Sequence, residues 1–179
     1  MLFETSSIAY GFQVERKSSG MLTAKGKYAL KALIYLSTLE PGEKAQGLAI
    51  SKAGNIPKKF LDAILGELRR AGIVHSRKGP GGGYRLAREP SAIKIGHVIR
   101  TIDGPLAPIA CASRTAYRPC RDCRDVKSCD VRLLMTKVRD SMSEVLDRVS
   151  VADMIAMSEG GNFDLTRYGL SLPSAARSR

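Results

Sequence analysis

The stretch PKKFLDAILGELRRAGIVHSRKGPGGGYRL, residues 57–86, decides the fold. Its first half is helical. Pro57 suits the first position of a helix, where its missing N–H costs nothing. Leu61, Ile64, Leu65 and Leu68 then recur at i, i+3, i+4 and i+7, one apolar stripe that must face a core. Gly72 stops the helix. Ile73 to Arg77 and Tyr84 to Leu86 read as two strands around a glycine-rich tip, Gly79 to Gly83, which makes a hairpin. Glycine lets a backbone approach another surface closely, and Arg77, Lys78 and Arg85 beside the tip supply cations for phosphates or a narrow groove. A nucleotide-binding loop would need a Gly-Lys-Ser/Thr ending or a helix opening from the glycines, and strand residues follow instead.

Upstream, an amphipathic helix starts at Thr23, with Tyr28, Leu30, Leu33 and Ile34 at helical spacing, and ends at Pro41-Gly42. A second helix is expected over Lys44 to Ala53, burying Leu48 and Ile50, with Gly54-Asn55 as the turn into the helix at Pro57. Two helices across a tight turn, the second with a basic start at Lys58 and Lys59, are a helix-turn-helix, and the hairpin after them is a wing.

Downstream, Ile95, Val98, Ile99 and Ile102 mark a short amphipathic helix ending at Asp103-Gly104-Pro105. An irregular stretch follows. From Asp130 to Ser150 a long helix returns, with Val131, Leu134, Val138, Met142, Val145 and Val149 spaced 3, 4, 4, 3 and 4 apart. Near-heptad spacing, with Arg139, Asp140, Glu144, Asp147 and Arg148 on the other faces, suits pairing with a second copy. The expectation is a mainly α fold with a small β-hairpin wing: a leader over 1–20, a winged helix-turn-helix over 21–105, a cysteine-containing loop over 106–129, a dimerisation helix with its following segment over 130–158, and a flexible tail over 159–179.

The formal net charge is +12 over 179 residues, and it is unevenly placed. Residues 21–105 hold 15 Lys and Arg against 6 Asp and Glu, whereas residues 106–160 hold 9 against 8. A basic excess concentrated on the winged segment points to a polyanion, double-stranded DNA, as the partner. No apolar run is long enough to span a membrane. The first 20 residues have no secretory h-region, which implies the reducing cytoplasm. No catalytic triad, carboxylate pair or nucleotide fingerprint can be assembled, so no enzyme or small-molecule substrate is expected.

All four cysteines, Cys111, Cys120, Cys123 and Cys129, fall in the pattern C-x8-C-x2-C-x5-C. Four thiols so close together in a reducing compartment point to a bound inorganic centre. Thiolates suit both iron-sulfur clusters and tetrahedral zinc; only one C-x2-C knuckle is present, and the irregular spacing leans toward iron-sulfur. Arg114, Arg118, Arg121, Arg124 and Lys127 offset the negative charge such a centre carries. The alternatives are structural zinc, a thiol redox switch at Cys120 and Cys123, or a small iron-sulfur redox carrier whose basic domain only docks on an acidic partner.

The start MLTAKGKYA at residues 21–29, the wing KGPGGGYRL at 78–86 and the cysteines after it resemble the Rrf2 family of transcription regulators, the group that includes the iron-sulfur cluster regulator, the nitric-oxide-sensing repressor and the rhizobial iron regulator. The resemblance runs from about Met21 to Met154. It implies a homodimeric repressor whose long helices cross near a two-fold axis, with a labile [2Fe-2S] or [4Fe-4S] cluster in the loop before them. It places Pro57, Lys59, Phe60 and Asp62 at the major groove and Lys78 at the wing contact. The full set of expected DNA contacts is Lys25, Lys27, Pro57, Lys58, Lys59, Phe60, Asp62, Arg77, Lys78, Gly81, Gly82, Tyr84 and Arg85. Cys111, Cys123 and Cys129 match the family's three cysteine ligands. The chain departs from the pattern by carrying the extra Cys120, and Arg132 stands where the iron-sulfur cluster regulator has a histidine ligand.

Overall fold

Helix α3, Lys58–Arg70, forms where the apolar stripe predicted it, and Leu61, Ile64, Leu65 and Leu68 are all fully buried. The computed structural model, which describes residues 22–121, 123, 125–160 and 166, builds the rest of the chain around that stripe. Before it come α1, Ala24–Ser37, and α2, Gly47–Gly54; after it come β1, Val74–Arg77, and β2, Gly83–Leu86. Helix α4, Ile95–Ile102, precedes the cysteine-containing segment, and α5, Asp130–Arg148, and α6, Val151–Gly160, follow it. Short 3-10 turns lie at Pro90–Ala92 and Ala110–Ala112. The expected leader, and the expected tail at 161–165 and 167–179, lie outside the described residues.

One core joins these elements. Ala29, Leu33 and Leu36 of α1, Ile50 of α2, the α3 stripe, Val74 of β1, and Ile95, Val98 and Ile99 of α4 form a single buried cluster. Close packing makes each of these positions sensitive to a lost methylene. Local signals set the helix ends. Thr23 caps α1, its hydroxyl accepting from the Gly26 amide at 3.2 Å. Asn55 takes a left-handed φ of 47° at the end of α2, a conformation asparagine tolerates better than most residues. Pro57 sits one position earlier than expected, as the cap residue.

Helix α2 departs from its sequence reading. It starts at Gly47 rather than Lys44, because Ala45 is taken into a β-bridge with Tyr84, with Ala45 N–H to Tyr84 O at 2.9 Å and Tyr84 N–H to Ala45 O at 2.8 Å. The later start leaves Leu48, expected in the core, 54% exposed, while Ile50 is buried as expected.

Helix α5 stops at Arg148, two residues before the expected Ser150. The chain then pairs back onto the residues before α4: Ile95 N–H donates to Val149 O at 2.9 Å and Val151 N–H to Ile93 O at 3.0 Å. Ser150 and Asp153 form a capping box that starts α6, with Ser150 N–H to Asp153 Oδ2 at 2.7 Å and Asp153 N–H to Ser150 Oγ at 3.2 Å. Helix α6 packs on α1, and Val149 and Val151 join the core of the winged domain. The segment after α5 thus belongs to the winged half of the fold.

Candidate nucleic-acid interface and cysteine centre

The wing is shaped by its glycines. Gly82 N–H donates to Gly79 O at 2.9 Å, closing a turn with Pro80 and then Gly81 at its centre. Gly81 has φ +66°, the value that position of a type II turn requires and that favours glycine. Strands β1 and β2 pair antiparallel in the register Val74 with Leu86, His75 with Arg85, Ser76 with Tyr84 and Arg77 with Gly83. At Gly83, with φ +152°, a Cβ would stand 2.7 Å from the Ala45 carbonyl oxygen. Glycine therefore lets the wing dock against the segment that leads into α2.

That docking makes one track of the expected DNA contacts. Tyr84 is bridged to Ala45, and the start of α2 faces the start of α3, where a Cβ on Gly47 would stand 3.5 Å from the Lys58 side chain and 3.7 Å from that of Asp62. The track runs from the head of α3 past the head of α2 to the wing. Along it Pro57, Lys58, Lys59, Asp62, Arg77, Lys78, Gly81 and Arg85 are exposed, and Gly82 and Tyr84 are half-buried. Phe60 is 57% exposed on α3, with its ring 6.4 Å from that of Tyr28 on α1. An aromatic so exposed in the first turn of a helix is placed to meet a thymine methyl or a sugar.

Two of the expected cations are already paired. Lys25 bonds both Glu67 carboxylate oxygens, at 2.8 and 2.7 Å, and so joins α1 to α3. Lys58 pairs with Asp62 one turn on, both about half exposed, an arrangement a phosphate can displace at little cost. Lys27 is exposed on α1. Sequence reasoning missed Asp103. Its carboxylate accepts from the Thr23 backbone N–H at 3.0 Å and from the Thr23 hydroxyl at 2.5 Å, fixing the start of α1.

The four cysteines gather in two pairs. Cys111 is buried in the Ala110–Ala112 turn, and its thiol is hydrogen-bonded with that of Cys120. Cys123 and Cys129 lie with their sulfurs 3.9 Å apart, and Cys129 is also close enough to Cys111 to act on it electrostatically. Burial pushes the Cys111 thiol up, the neighbouring Cys120 adds to that, and a backbone hydrogen bond opposes it. Arg114, Arg118, Arg121 and Lys127 are exposed around the loop; Arg124 lies outside the described residues. Asp125 braces the stretch between Cys123 and Cys129, accepting from the Lys127 amide at 2.9 Å and the Ser128 hydroxyl at 2.7 Å; these bonds hold its carboxyl below the usual range.

Among the described residues no three His, Cys, Asp or Glu side chains are already converged as a metal cage. The donor set nonetheless fits a thiolate-bound centre. Two thiolates on one tetrahedral metal stand about 3.8 Å apart, given a metal–sulfur bond of about 2.3 Å, and the Cys123 and Cys129 sulfurs are at that separation. The second pair lies near enough to the first for Cys129 to act electrostatically on Cys111. A buried hydroxyl on α5, that of Thr136, also lacks a hydrogen-bond partner among the described residues.

Helix α5 holds this loop in a way its sequence did not announce. Arg132 Nε donates to the Cys111 carbonyl at 3.0 Å. Arg139, expected on a face away from the apolar stripe, is 8% exposed and donates to the Ala112 carbonyl and to Asp140, whose carboxyl it holds below the usual range. The expected dimer stripe divides along its length. Val131 is 61% exposed, Leu134 59% and Val138 38%. Met142 and Val145 are half-buried, and Val149, one residue past the helix, is in the core of its own chain. Among the described residues no helix is long and apolar enough to cross a membrane.

Comparison with known proteins places this geometry. The Rrf2 family profile, described as an iron-dependent transcriptional regulator, matches residues 22–157. A Rhodobacter capsulatus protein named as an rrf2-like HTH-type transcriptional regulator is 42% identical over 139 residues, 76% of this chain and 93% of that protein. The structure of CymR, the global cysteine regulator of Bacillus subtilis, superposes with a TM-score of 0.61 at 30% identity, covering 75% of this chain and 95% of that one. T. potens IscR does so with a TM-score of 0.59 at 27% identity, covering 80% and 91%. These relatives are regulators rather than enzymes, and their winged-helix architecture is the one described above. The chain belongs to the Rrf2 family of DNA-binding transcriptional regulators.

Proposed function

We propose that the protein is a homodimeric, cytoplasmic repressor whose affinity for its operator is set by an iron-sulfur cluster held at Cys111, Cys120, Cys123 and Cys129. The observation that carries the cluster is the gathering of the four thiols as two pairs in one segment, one pair with its sulfurs 3.9 Å apart, in a chain whose family is described as iron-dependent. When bound, such a cluster supplies redox-sensitive and iron-sensitive bonds that are gained or lost with conditions. The chain's residues do the rest. Lys59, Arg77, Lys78 and Arg85 neutralise phosphates, and Phe60 with its neighbours at the head of α3 meets base edges in the major groove. Val131, Leu134 and Val138 cover one another across a two-fold axis, bringing two reading heads onto two half-sites.

Coupling follows from where the loop is attached. Cys111 hangs from the α5 residues Arg132 and Arg139, and α5 continues directly into the Val149–Val151 segment that pairs with the winged domain. Drawing the thiols together biases the angle between α5 and the DNA-reading half, a population shift between two arrangements. Family membership favours this regulator over the small redox carrier.

Anaerobic purification with visible absorption and assay of iron, acid-labile sulfide and zinc tests the proposal. Brown protein with stoichiometric iron and sulfide is expected. Colourless protein with stoichiometric zinc would replace the sensor by a structural zinc centre, and protein without metal after reconstitution would leave a thiol switch.

A further inference from the structure

The thiol loop rests on one face of α5, and the polar groups of that face are unusual. Residues 132, 136 and 139 fall on the same side of a helix, because steps of four and then three residues return close to one direction. Arg132 and Arg139 both point their guanidiniums at backbone carbonyls of the turn that carries Cys111, those of Cys111 and Ala112. Thr136 lies between them with its hydroxyl oxygen buried and unpartnered among the described residues. A buried hydroxyl without a partner is costly, and native structures rarely leave one without a reason. A threonine in a helix ordinarily satisfies itself by bonding back to the carbonyl four residues earlier. Here it does not.

We propose that Arg132, Thr136 and Arg139 form a polar seat for the cysteine centre, the arginines as positioning residues that hold the Cys111 turn by its carbonyls and the Thr136 hydroxyl as hydrogen-bond donor to a sulfur of the bound group. The seat rests on the reading that the thiols bind an inorganic centre. It assigns distinct tasks. Two main-chain carbonyls fix where the turn that carries Cys111 stands. The hydroxyl, which has nothing to donate to in the unloaded protein, acquires an acceptor on loading. Donors to ligating sulfur tune such centres, and changes in partners of this kind typically alter metal affinity 10- to 100-fold.

The test is anaerobic titration of the full chain with cobalt(II), whose bonds to thiolate give charge-transfer absorption, comparing the wild type with Thr136→Val, Thr136→Ser and Arg132→Ala. Thr136→Val keeps the volume and removes only the hydroxyl. It is expected to weaken cobalt binding about tenfold and shift the charge-transfer band, with DNA binding of the unloaded protein unchanged, and Thr136→Ser is expected to restore both. Arg132→Ala is preferred to Arg139→Ala, because Arg139 is buried and its loss threatens the fold. It is expected to bind cobalt with a broadened band and to lose the hydrogen-exchange protection of residues 130–140 that loading gives the wild type. Wild-type charge transfer with an unchanged band and affinity in Thr136→Val would overturn the donor, and loading-dependent protection retained in Arg132→Ala would overturn the clamp. A wild type giving no charge-transfer band with cobalt, and none after iron and sulfide reconstitution, would remove both the seat and the centre beneath it.

Discussion

Lys78 stands at the base of the wing tip and Lys59 in the first turn of α3, both exposed and without an ion-pair partner among the described residues, whereas Lys25 and Lys58 are tied to Glu67 and Asp62. Binding isotherms at several salt concentrations should therefore separate them. Lys59→Ala and Lys78→Ala should each weaken binding and reduce the salt slope by about 1, while Lys25→Ala should act mainly on stability. An unchanged slope for both Lys59→Ala and Lys78→Ala would move the interface elsewhere. At Asp103 the expectation concerns stability alone: Asp103→Ala removes two hydrogen bonds to Thr23 and should cost about 1–2 kcal/mol in urea unfolding. Its role was not legible in the sequence, where it reads only as the end of α4. The carboxylate acts on a residue 80 positions earlier, and no local pattern announces such a partner.

Elements with a repeating apolar face were the legible part. The stripe of α3 predicted its buried residues one by one, and the hairpin followed from glycines at fixed places between short strands. The misreadings arose where tertiary contacts replaced local pattern. Lys44 and Ala45 carry no mark that Tyr84 will claim Ala45 as a β-bridge partner, and that claim shortens α2 and exposes Leu48. In α5 the heptad spacing continues to Val149, but spacing cannot tell which chain covers a residue. The distinction is measurable. Leu134→Asp and Val138→Asp should convert a dimer to a monomer by sedimentation, because they place charge on the exposed part of the stripe. Val149→Ala should leave association unchanged and lower stability by about 1.5 kcal/mol, from two buried methyl groups at roughly 0.8 kcal/mol each. The sequence reading ran the long helix to Ser150 and did not separate α6, which the structure starts with the capping box of Ser150 and Asp153.

For the whole molecule, charge and connectivity carry the account. The basic excess lies on residues 21–105, the half that holds the wing and α3, and the cysteines lie between that half and α5. The chain leaves the winged domain after α4, passes the thiol loop, runs out along α5 and returns through Val149 to Val151. Helix α5 is thus tied to the thiol loop by Arg132 and Arg139 of its first half and to the winged half by the backbone pairing that follows it, which is the route the proposed coupling would take. The sequence placed the cysteines in one segment; their pairing and their attachment to α5 depend on side chains reaching across that segment, which spacing alone does not specify. The most direct test of the proposed coupling is fluorescence anisotropy of the full chain on a duplex selected from a random pool, anaerobically, before and after removal of the proposed thiol-bound centre. The account predicts an affinity change of about tenfold or more, roughly 1.4 kcal/mol of coupling, that disappears when Cys111, Cys123 and Cys129 are replaced by serine. Equal affinity before and after removal would contradict it and leave a regulator whose cysteine centre does not govern its hold on DNA.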